Sequence, residues 1–101
     1  MEGIQLKLAG NGRGAFVYEE GDEQLAEMEI AISGKNLIVY HTEVAPQLQG
    51  KGVSSSLLAT MVEYARQHAL KVVALCPYVL SQFNRNPEKY NTIWNRDWKQ
   101  N

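Results

Sequence analysis

The chain has 101 residues, of which 45% are hydrophobic and 21% are charged, and its formal net charge at pH 7 is −1. This length and composition predict a single globular domain over residues 1–101, large enough to build a core without metal or disulfide staples. The balanced charge gives no electrostatic footprint for nucleic acid or an anionic membrane, so neither is an expected partner. With one cysteine and two histidines that lie far apart in the sequence, no metal site is expected.

The N-terminus and the cysteine content favour a cytoplasmic location. The first five residues lack the basic and apolar regions of a signal peptide. No apolar run approaches the ~20 residues that span a bilayer. The single cysteine cannot form an internal disulfide, which suits a reducing compartment.

Four segments in the first half of the chain have the pattern of strands joined by tight turns. Ile4–Leu8 alternates apolar and polar residues with a period of two, and residues 10–14 form a glycine-rich turn before a second strand at residues 15–19. Residues 26–32 alternate apolar side chains with glutamates, which is typical of a half-buried strand. Asn36–Val44 is a β-branched fourth strand. Together these segments predict an antiparallel meander.

The second half of the chain changes to helical periodicity. Residues 53–69 keep their apolar side chains on one stripe, which predicts an amphipathic helix. A fifth strand follows at residues 71–76, and its continuous apolar run, Val72-Val73-Ala74-Leu75, predicts burial on both faces. Residues 78–85 predict a short helix, and residues 86–94 a further helical segment that opens on an Asn-Pro pair.

The segment Gln47-Leu48-Gln49-Gly50-Lys51-Gly52 stands between the fourth strand and the long helix. A strand, a glycine turn and a helix N-terminus form a nest of backbone N–H groups that favours an anion such as phosphate. Two glycines alone are equally compatible with a plain tight turn. A Walker A loop requires Ser or Thr where Gly52 stands, and the Rossmann fingerprint requires a third glycine where Ser55 stands.

The pattern Gln-x-x-Gly-x-Gly after a strand and before a helix resembles the acetyl-CoA pyrophosphate loop of the GNAT N-acetyltransferases. Three further motifs are similar to the minimal single-domain, YjdJ-type GNAT-like proteins, and the resemblance covers nearly the whole chain. These motifs are His41-Thr42-Glu43-Val44, Leu75-Cys76-Pro77-Tyr78, and Pro87 with Tyr90. The resemblance implies an α+β, GNAT-like fold: a meander of four antiparallel strands, a β-loop-α-β crossover and short C-terminal helices.

The resemblance also implies acetyl-CoA as the cofactor and an amine as the acetyl acceptor. The pantetheine arm would enter a gap where strands four and five splay apart, and pair with the backbone near Glu43 and Val44. Lys51 either reaches a phosphate by charge or stays solvated. The N–H groups around the pyrophosphate would come from Gln49, Gly50, Lys51, Gly52, Val53 and Ser54.

Several side chains near that gap are candidates for chemistry. Cys76 is either a nucleophile, with His41 as the base that activates it, or a small apolar residue that ends a core strand. Glu43 shares a strand face with His41 and either deprotonates the acceptor amine or is a solvated strand-end carboxylate. Tyr78 and Tyr90 either protonate the departing thiolate or pack as aromatic groups.

One departure from larger GNATs bears on the acceptor. Their first two strands are separated by helices that close over the acceptor, whereas here only residues 10–14 stand there, so an open and shallow acceptor side is expected. The leading interpretation is an enzyme that transfers acetyl directly to an amine, with a protein lysine as one candidate. An acyl-CoA-binding module with little or no turnover is the alternative. A thiol enzyme that uses Cys76 with His41 is a third, and the oligomeric state is left open.

Overall fold

The computed structural model describes residues 3–98, and within them no helix is long and apolar enough to cross a membrane. The elements in chain order are β1 (Ile4–Leu8), β2 (Arg13–Glu20), β3 (Glu23–Ser33), β4 (Asn36–Val44), a 3₁₀ turn (Pro46–Leu48), α1 (Val53–Gln67), β5 (Lys71–Ala74), α2 (Pro77–Arg85) and α3 (Pro87–Tyr90). The strands form one sheet in the order β1-β2-β3-β4-β5, antiparallel except for the parallel pair β4–β5. The predicted α+β meander with its β-loop-α-β crossover is confirmed.

The hydrophobic core lies between one face of the sheet and the helices. Leu57, Met61 and Ala65 of α1 are completely buried because they recur every four residues and so share one face of the helix. They pack in a single cluster with sheet residues such as Phe16 and Met28. This apolar layer holds α1, and the loop that precedes it, against the sheet.

The other face of the sheet carries no helix from residues 3–98. Val17 is nevertheless almost completely buried there, outside the main cluster. Long charged side chains lie along this face and pair with each other: Lys7 with Glu19 at 2.9 Å, and Arg13 with Glu29 at 3.1 Å. Long charged side chains can cover apolar surface with their aliphatic stems while their charged ends stay in water.

A β-bulge in β4 determines which of its side chains face the core. The register between β3 and β4 shifts by one residue between Glu29 and Ile30, which leaves Tyr40 as the extra residue on β4. An extra residue reverses the alternation of the side chains that follow it. As a result, His41 lies on the outer face, and Thr42 lies on the face that packs against the helices.

The helix predicted to reach Trp94 ends at Tyr90, so its predicted length is wrong. Trp94 instead forms a parallel bridge with Val72 of β5. The Val72 N–H donates to Ile93 O at 2.6 Å, and the Asn95 N–H donates to Val72 O at 2.9 Å. This pairing satisfies backbone groups at the edge of β5, which a longer helix would have left exposed.

The prediction that the whole apolar run of β5 is buried is also wrong at its end. Val72 and Val73 are buried, but Leu75 is 44% exposed. β5 ends at Ala74, and the chain then leaves the sheet for α2. Leu75 therefore has no facing layer to pack against.

The first prediction concerns Phe83, which anchors α2. Its ring is completely buried, stacks on Tyr90 at 4.5 Å and meets Trp94 edge-on at 5.4 Å between ring centroids. Phe83→Ala should lower the free energy of unfolding by about 3–5 kcal/mol because it leaves a cavity. Urea denaturation followed by circular dichroism measures the change. Leu80→Ala, an exposed position on the same helix, is the matched control and should cost less than about 0.5 kcal/mol. Equal effects would contradict this packing.

Candidate functional site

β4 and β5 separate at the end of the sheet where the glycine loop lies. Their parallel pairing ends at Val39 and Ala74. The next two N–H groups, of Leu75 and Cys76, both donate to Val39 O, at 3.1 and 2.8 Å. Beyond this point β4 continues to Val44 with no strand on its β5 side among residues 3–98. The backbone at the end of β4 is therefore open to a ligand, in a gap of the kind that the resemblance implies.

The glycine loop turns the chain from the 3₁₀ turn into α1. Gly50 and Gly52 both have a φ of 79°, a left-handed conformation that residues with a side chain rarely adopt. A Cβ at either position would meet no heavy atom within 4 Å. The two glycines thus leave open space over the loop backbone, which a side chain would occupy.

Backbone N–H groups face this open space without acceptors. Gly52 is the N-cap of α1, and no side chain caps the helix. The first intrahelical bond is donated by Ser56 to Gly52 O at 3.1 Å, so the N–H groups before it are unused. The loop and helix N–H groups without an acceptor in the described chain are those of Gly50, Gly52, Val53, Ser54 and Ser55. Together with the helix dipole they form a nest, an arrangement of N–H groups that favours an anion.

The free N–H groups of the nest are not the same set as the sequence analysis predicted. The Gln49 N–H donates to Pro46 O at 3.2 Å, and the Lys51 N–H donates to Leu48 O at 3.1 Å, so both hold the loop together. Ser55 has a free N–H group but was absent from the prediction. A helix start at residue 53 already indicates it, because the first N–H groups of any helix lack partners.

Two grooves meet at the end of β4. One, of about 260 Å³, runs beside the glycine loop and is lined by Val44 and Tyr78 among others. The other, of about 580 Å³, lies between the ends of β3 and β4 and includes Thr42 and Glu43. Val44 and Gln49 line both grooves, and Gln49 Nε2 donates to Val44 O at 3.1 Å. This hydrogen bond ties the loop to the strand end where the grooves join.

Cys76 lies at the base of the gap but is only 2% exposed. Its Sγ is 3.3 Å from Thr42 Oγ1. His41, the predicted base for this thiol, lies on the opposite face of β4, with its Nε2 3.1 Å from Glu43 Oε1. The structure therefore joins Cys76 to Thr42 and His41 to Glu43, and does not join Cys76 to His41.

The other candidate catalytic side chains lie in different parts of the structure. The Glu43 side chain is 68% exposed and lies at the mouth of the larger groove. Glu27 stands directly across from it in the β3–β4 register. Tyr78 is partly buried beside the glycine loop, whereas Tyr90 is buried and stacks on Phe83. Tyr78 is thus placed to reach a ligand in the gap, and Tyr90 serves the core.

A family model described as GCN5-related N-acetyl-transferase matches residues 15–93 of the chain. The chain therefore belongs to the GCN5-related N-acetyltransferase (GNAT) family, a class of enzymes that generally uses acetyl-CoA as co-substrate. The match includes the glycine loop, the gap and Cys76.

Solved structures agree with this assignment. A Staphylococcus aureus protein described as a GCN5-like candidate N-acetyltransferase is 26% identical, with a TM-score of 0.63, and the match covers 93% of this chain and 90% of that one. A ribosomal-protein-alanine N-acetyltransferase from Brucella melitensis is 16% identical, with a TM-score of 0.60, covering 89% and 69%. An IAA acetyltransferase from Bacillus cereus is 21% identical, with a TM-score of 0.56, covering 77% and 54%. At these lower identities the last two show the shared fold alone.

The second prediction concerns the role of Cys76. Because its thiol is buried, hydrogen-bonded to Thr42 and separated from His41, Cys76→Ala should retain most of any acetyl-transfer rate. Incubating the wild-type protein with acetyl-CoA alone should leave its mass unchanged in mass spectrometry. An added acetyl group on the wild type that is absent from Cys76→Ala, and is removed by an amine, would show instead that Cys76 is acylated first.

Proposed function

We propose that this chain binds acetyl-CoA across the glycine loop and the β4–β5 gap, and transfers the acetyl group directly to an amine. The observation that carries the proposal is the nest of free N–H groups over Gly50 and Gly52. It opens beside the end of β4, which has no strand on its β5 side beyond Val39. The family assignment supplies the reaction class, and the nest supplies a place for the pyrophosphate.

The residues present fit this co-substrate. The free N–H groups of Gly50, Gly52, Val53 and Ser54 would hold the pyrophosphate, and Lys51, which is exposed, would add positive charge. Near Glu43 and Val44 the end of β4 has no strand on its β5 side, and its backbone there would bind the amide-bearing arm as an added strand does. When bound, acetyl-CoA supplies an acetyl group already activated as a thioester.

Direct transfer removes two protons from the acceptor nitrogen and adds one to the leaving sulfur. The acceptor arrives as an ammonium ion and must lose a proton before its nitrogen can form the new C–N bond. Glu43, at the groove mouth beside His41, would accept that proton, directly or through a water molecule. As the C–S bond breaks, the Tyr78 hydroxyl would donate a proton to the leaving sulfur. The nitrogen would lose its second proton to water once the C–N bond has formed, and Tyr78 would regain a proton from water. None of these steps needs a covalent enzyme intermediate.

The shape of the acceptor side supports a lysine on another protein as the acceptor. The larger groove is open, and Glu43 is mostly solvent-exposed. Such a surface offers little to enclose and orient a small amine, so holding that amine near the thioester would raise the rate only modestly. A protein acceptor brings its own surface to the groove. The two carboxylates of Glu27 and Glu43 favour a cationic acceptor.

We also assign the chain to the minimal, YjdJ-type subgroup of the family. The mutual coverage with the Staphylococcus aureus structure supports a family member of this small size. The strand-end motif from His41 to Val44 and the segment around Cys76 carry the same assignment.

A second candidate function is acyl-CoA binding with little or no turnover. The exposure of Glu43 favours it, because a base that water surrounds is poorly oriented for catalysis. Both candidates require the same nest, and they differ only in whether chemistry occurs once the ligand is bound.

The third prediction tests the nest through Gly52→Asp. A side chain here occupies the open space over the loop and adds a negative charge, so affinity for CoA should fall by about tenfold or more, roughly 1.4 kcal/mol. Isothermal titration calorimetry measures the change. Gly34→Asp is the matched control, because Gly34 also has a positive φ and open surroundings but lies at the opposite end of β4. Equal affinities for CoA in the folded variants would contradict the loop assignment, and ATP binding without CoA binding would contradict the co-substrate.

The fourth prediction tests Glu43 as the base. Glu43→Gln should lower the rate of acetyl transfer to a lysine-containing peptide by about a hundredfold, with CoA affinity unchanged. Glu23→Gln, an exposed glutamate at the start of β3, is the control. A rate equal to that of the wild type would place the base elsewhere. CoA binding with no transfer by the wild type to any amine in a broad panel would support the second candidate.

A further inference from the structure

Within residues 3–98, one edge strand of the sheet is paired with a further segment on its outer side and the other is not. The edge of β5 is covered, since residues 93–95 bond to Val72 on its outer side. β1 forms the other edge, and no described segment pairs with its outer side. β1 contains no proline, and its pairing with β2 has no bulge, so it lacks two common devices that block strand addition.

Hydrogen bonds at the two ends of β1 determine which of its backbone groups face this open edge. The Glu19 N–H donates to Gly3 O at 3.3 Å, and the Ala9 N–H donates to Arg13 O at 2.8 Å. Backbone groups alternate in direction along an antiparallel strand, so the odd-numbered residues of β1 bond to β2. The even-numbered residues, whose N–H and C=O groups face the open edge, are Ile4, Leu6 and Leu8.

The same three residues carry the apolar side chains of β1. Leu8 is 45% exposed, one of three large hydrophobic residues exposed in the described chain. Beside Leu6, a groove of about 390 Å³ lined by Phe16 and Tyr64 runs between the sheet and α1. Gln5 and Lys7, which alternate with them, are exposed on the other face. β1 thus offers unpaired backbone groups and an apolar stripe that is partly exposed at Ile4 and Leu6 and exposed at Leu8.

We propose that β1 pairs antiparallel with β1 of a second copy of this chain, about a two-fold axis at Leu6. Leu6 then stands opposite Leu6 of the second copy, and Ile4 stands opposite Leu8. Each of these pairs exchanges two N–H···O bonds, because all of their backbone groups face the edge. The two sheets join into one continuous sheet.

The sequence of β1 is complementary to itself in this register, which favours a second copy over an unrelated peptide. Apolar residues face apolar residues, so Leu8 is covered by Ile4 and the neighbouring grooves adjoin across the axis. Lys7 faces Gln5, so no like charges stand opposite each other. A net charge of −1 on each chain adds little repulsion. The β4–β5 gap lies at the far edge of the sheet, so dimerisation and CoA binding can be tested separately.

The dimer is tested first by mass in solution. Size-exclusion chromatography with light scattering, over a hundredfold range of concentration up to the millimolar, should show the wild type passing from monomer to dimer. Leu8→Lys places a charge opposite Ile4 twice in each dimer and should raise the dissociation constant by about tenfold or more. Leu80→Lys is the matched control, since Leu80 is 39% exposed on α2. A monomer throughout, or equal effects of the two variants, would overturn the proposal.

The register is tested by cross-linking between two single variants. Gln5 and Lys7 of opposite copies form a non-hydrogen-bonded pair, with Cα atoms about 4.5 Å apart, within disulfide range. Gln5→Cys mixed with Lys7→Cys should give a disulfide-linked dimer on mild oxidation, whereas each variant alone should not, because its own cysteines are out of register. The native Cys76 is 2% exposed and does not compete. Failure of the mixture, or equal cross-linking by one variant alone, would overturn the proposed register.

Discussion

The carbonyl oxygen of Val39 accepts hydrogen bonds from two consecutive N–H groups, those of Leu75 and Cys76, at the point where β5 ends. The rest of the site depends on this pair of hydrogen bonds. Two consecutive N–H groups on one acceptor end the regular ladder, so the chain leaves the sheet at Leu75 and enters α2. β4 then continues to Val44 paired only with β3, and the gap opens on its other side. The glycine loop lies at the end of that segment, which brings the N–H nest and the open side of the strand to the same place.

The bulge at Tyr40 assigns different surroundings to neighbouring side chains of β4. It directs Thr42 toward Cys76 and the helices, and it leaves His41 and Glu43 together on the solvent-exposed face of the sheet. One extra residue thereby separates the buried thiol from the only histidine near it. It also places an exposed carboxylate beside the groove that joins the gap, where an acceptor can approach from solvent.

Local pattern was sufficient to predict the parts of the fold that depend on near neighbours. β1 and β4 have the predicted bounds, because alternation and flanking turns specify a strand locally, and the positive φ values of Gly50 and Gly52 follow the glycine pattern. The bulge was not predictable, because a one-residue shift in register depends on how β3 packs against β4. The early end of α3 had the same kind of cause: the backbone of Val72, distant in sequence, forms hydrogen bonds with Ile93 and Asn95.

Strand order in the sheet follows strand order along the chain without exception. During synthesis, each strand up to β4 meets its partner as soon as it leaves the ribosome, since only a tight turn separates them. β5 must wait for the whole of α1, so its pairing closes the longest loop between neighbouring strands and is expected to follow that of β1 to β4. The nascent meander therefore carries the edge of β4 uncovered for the time that the synthesis of α1 requires. We therefore expect the candidate site to form after the meander.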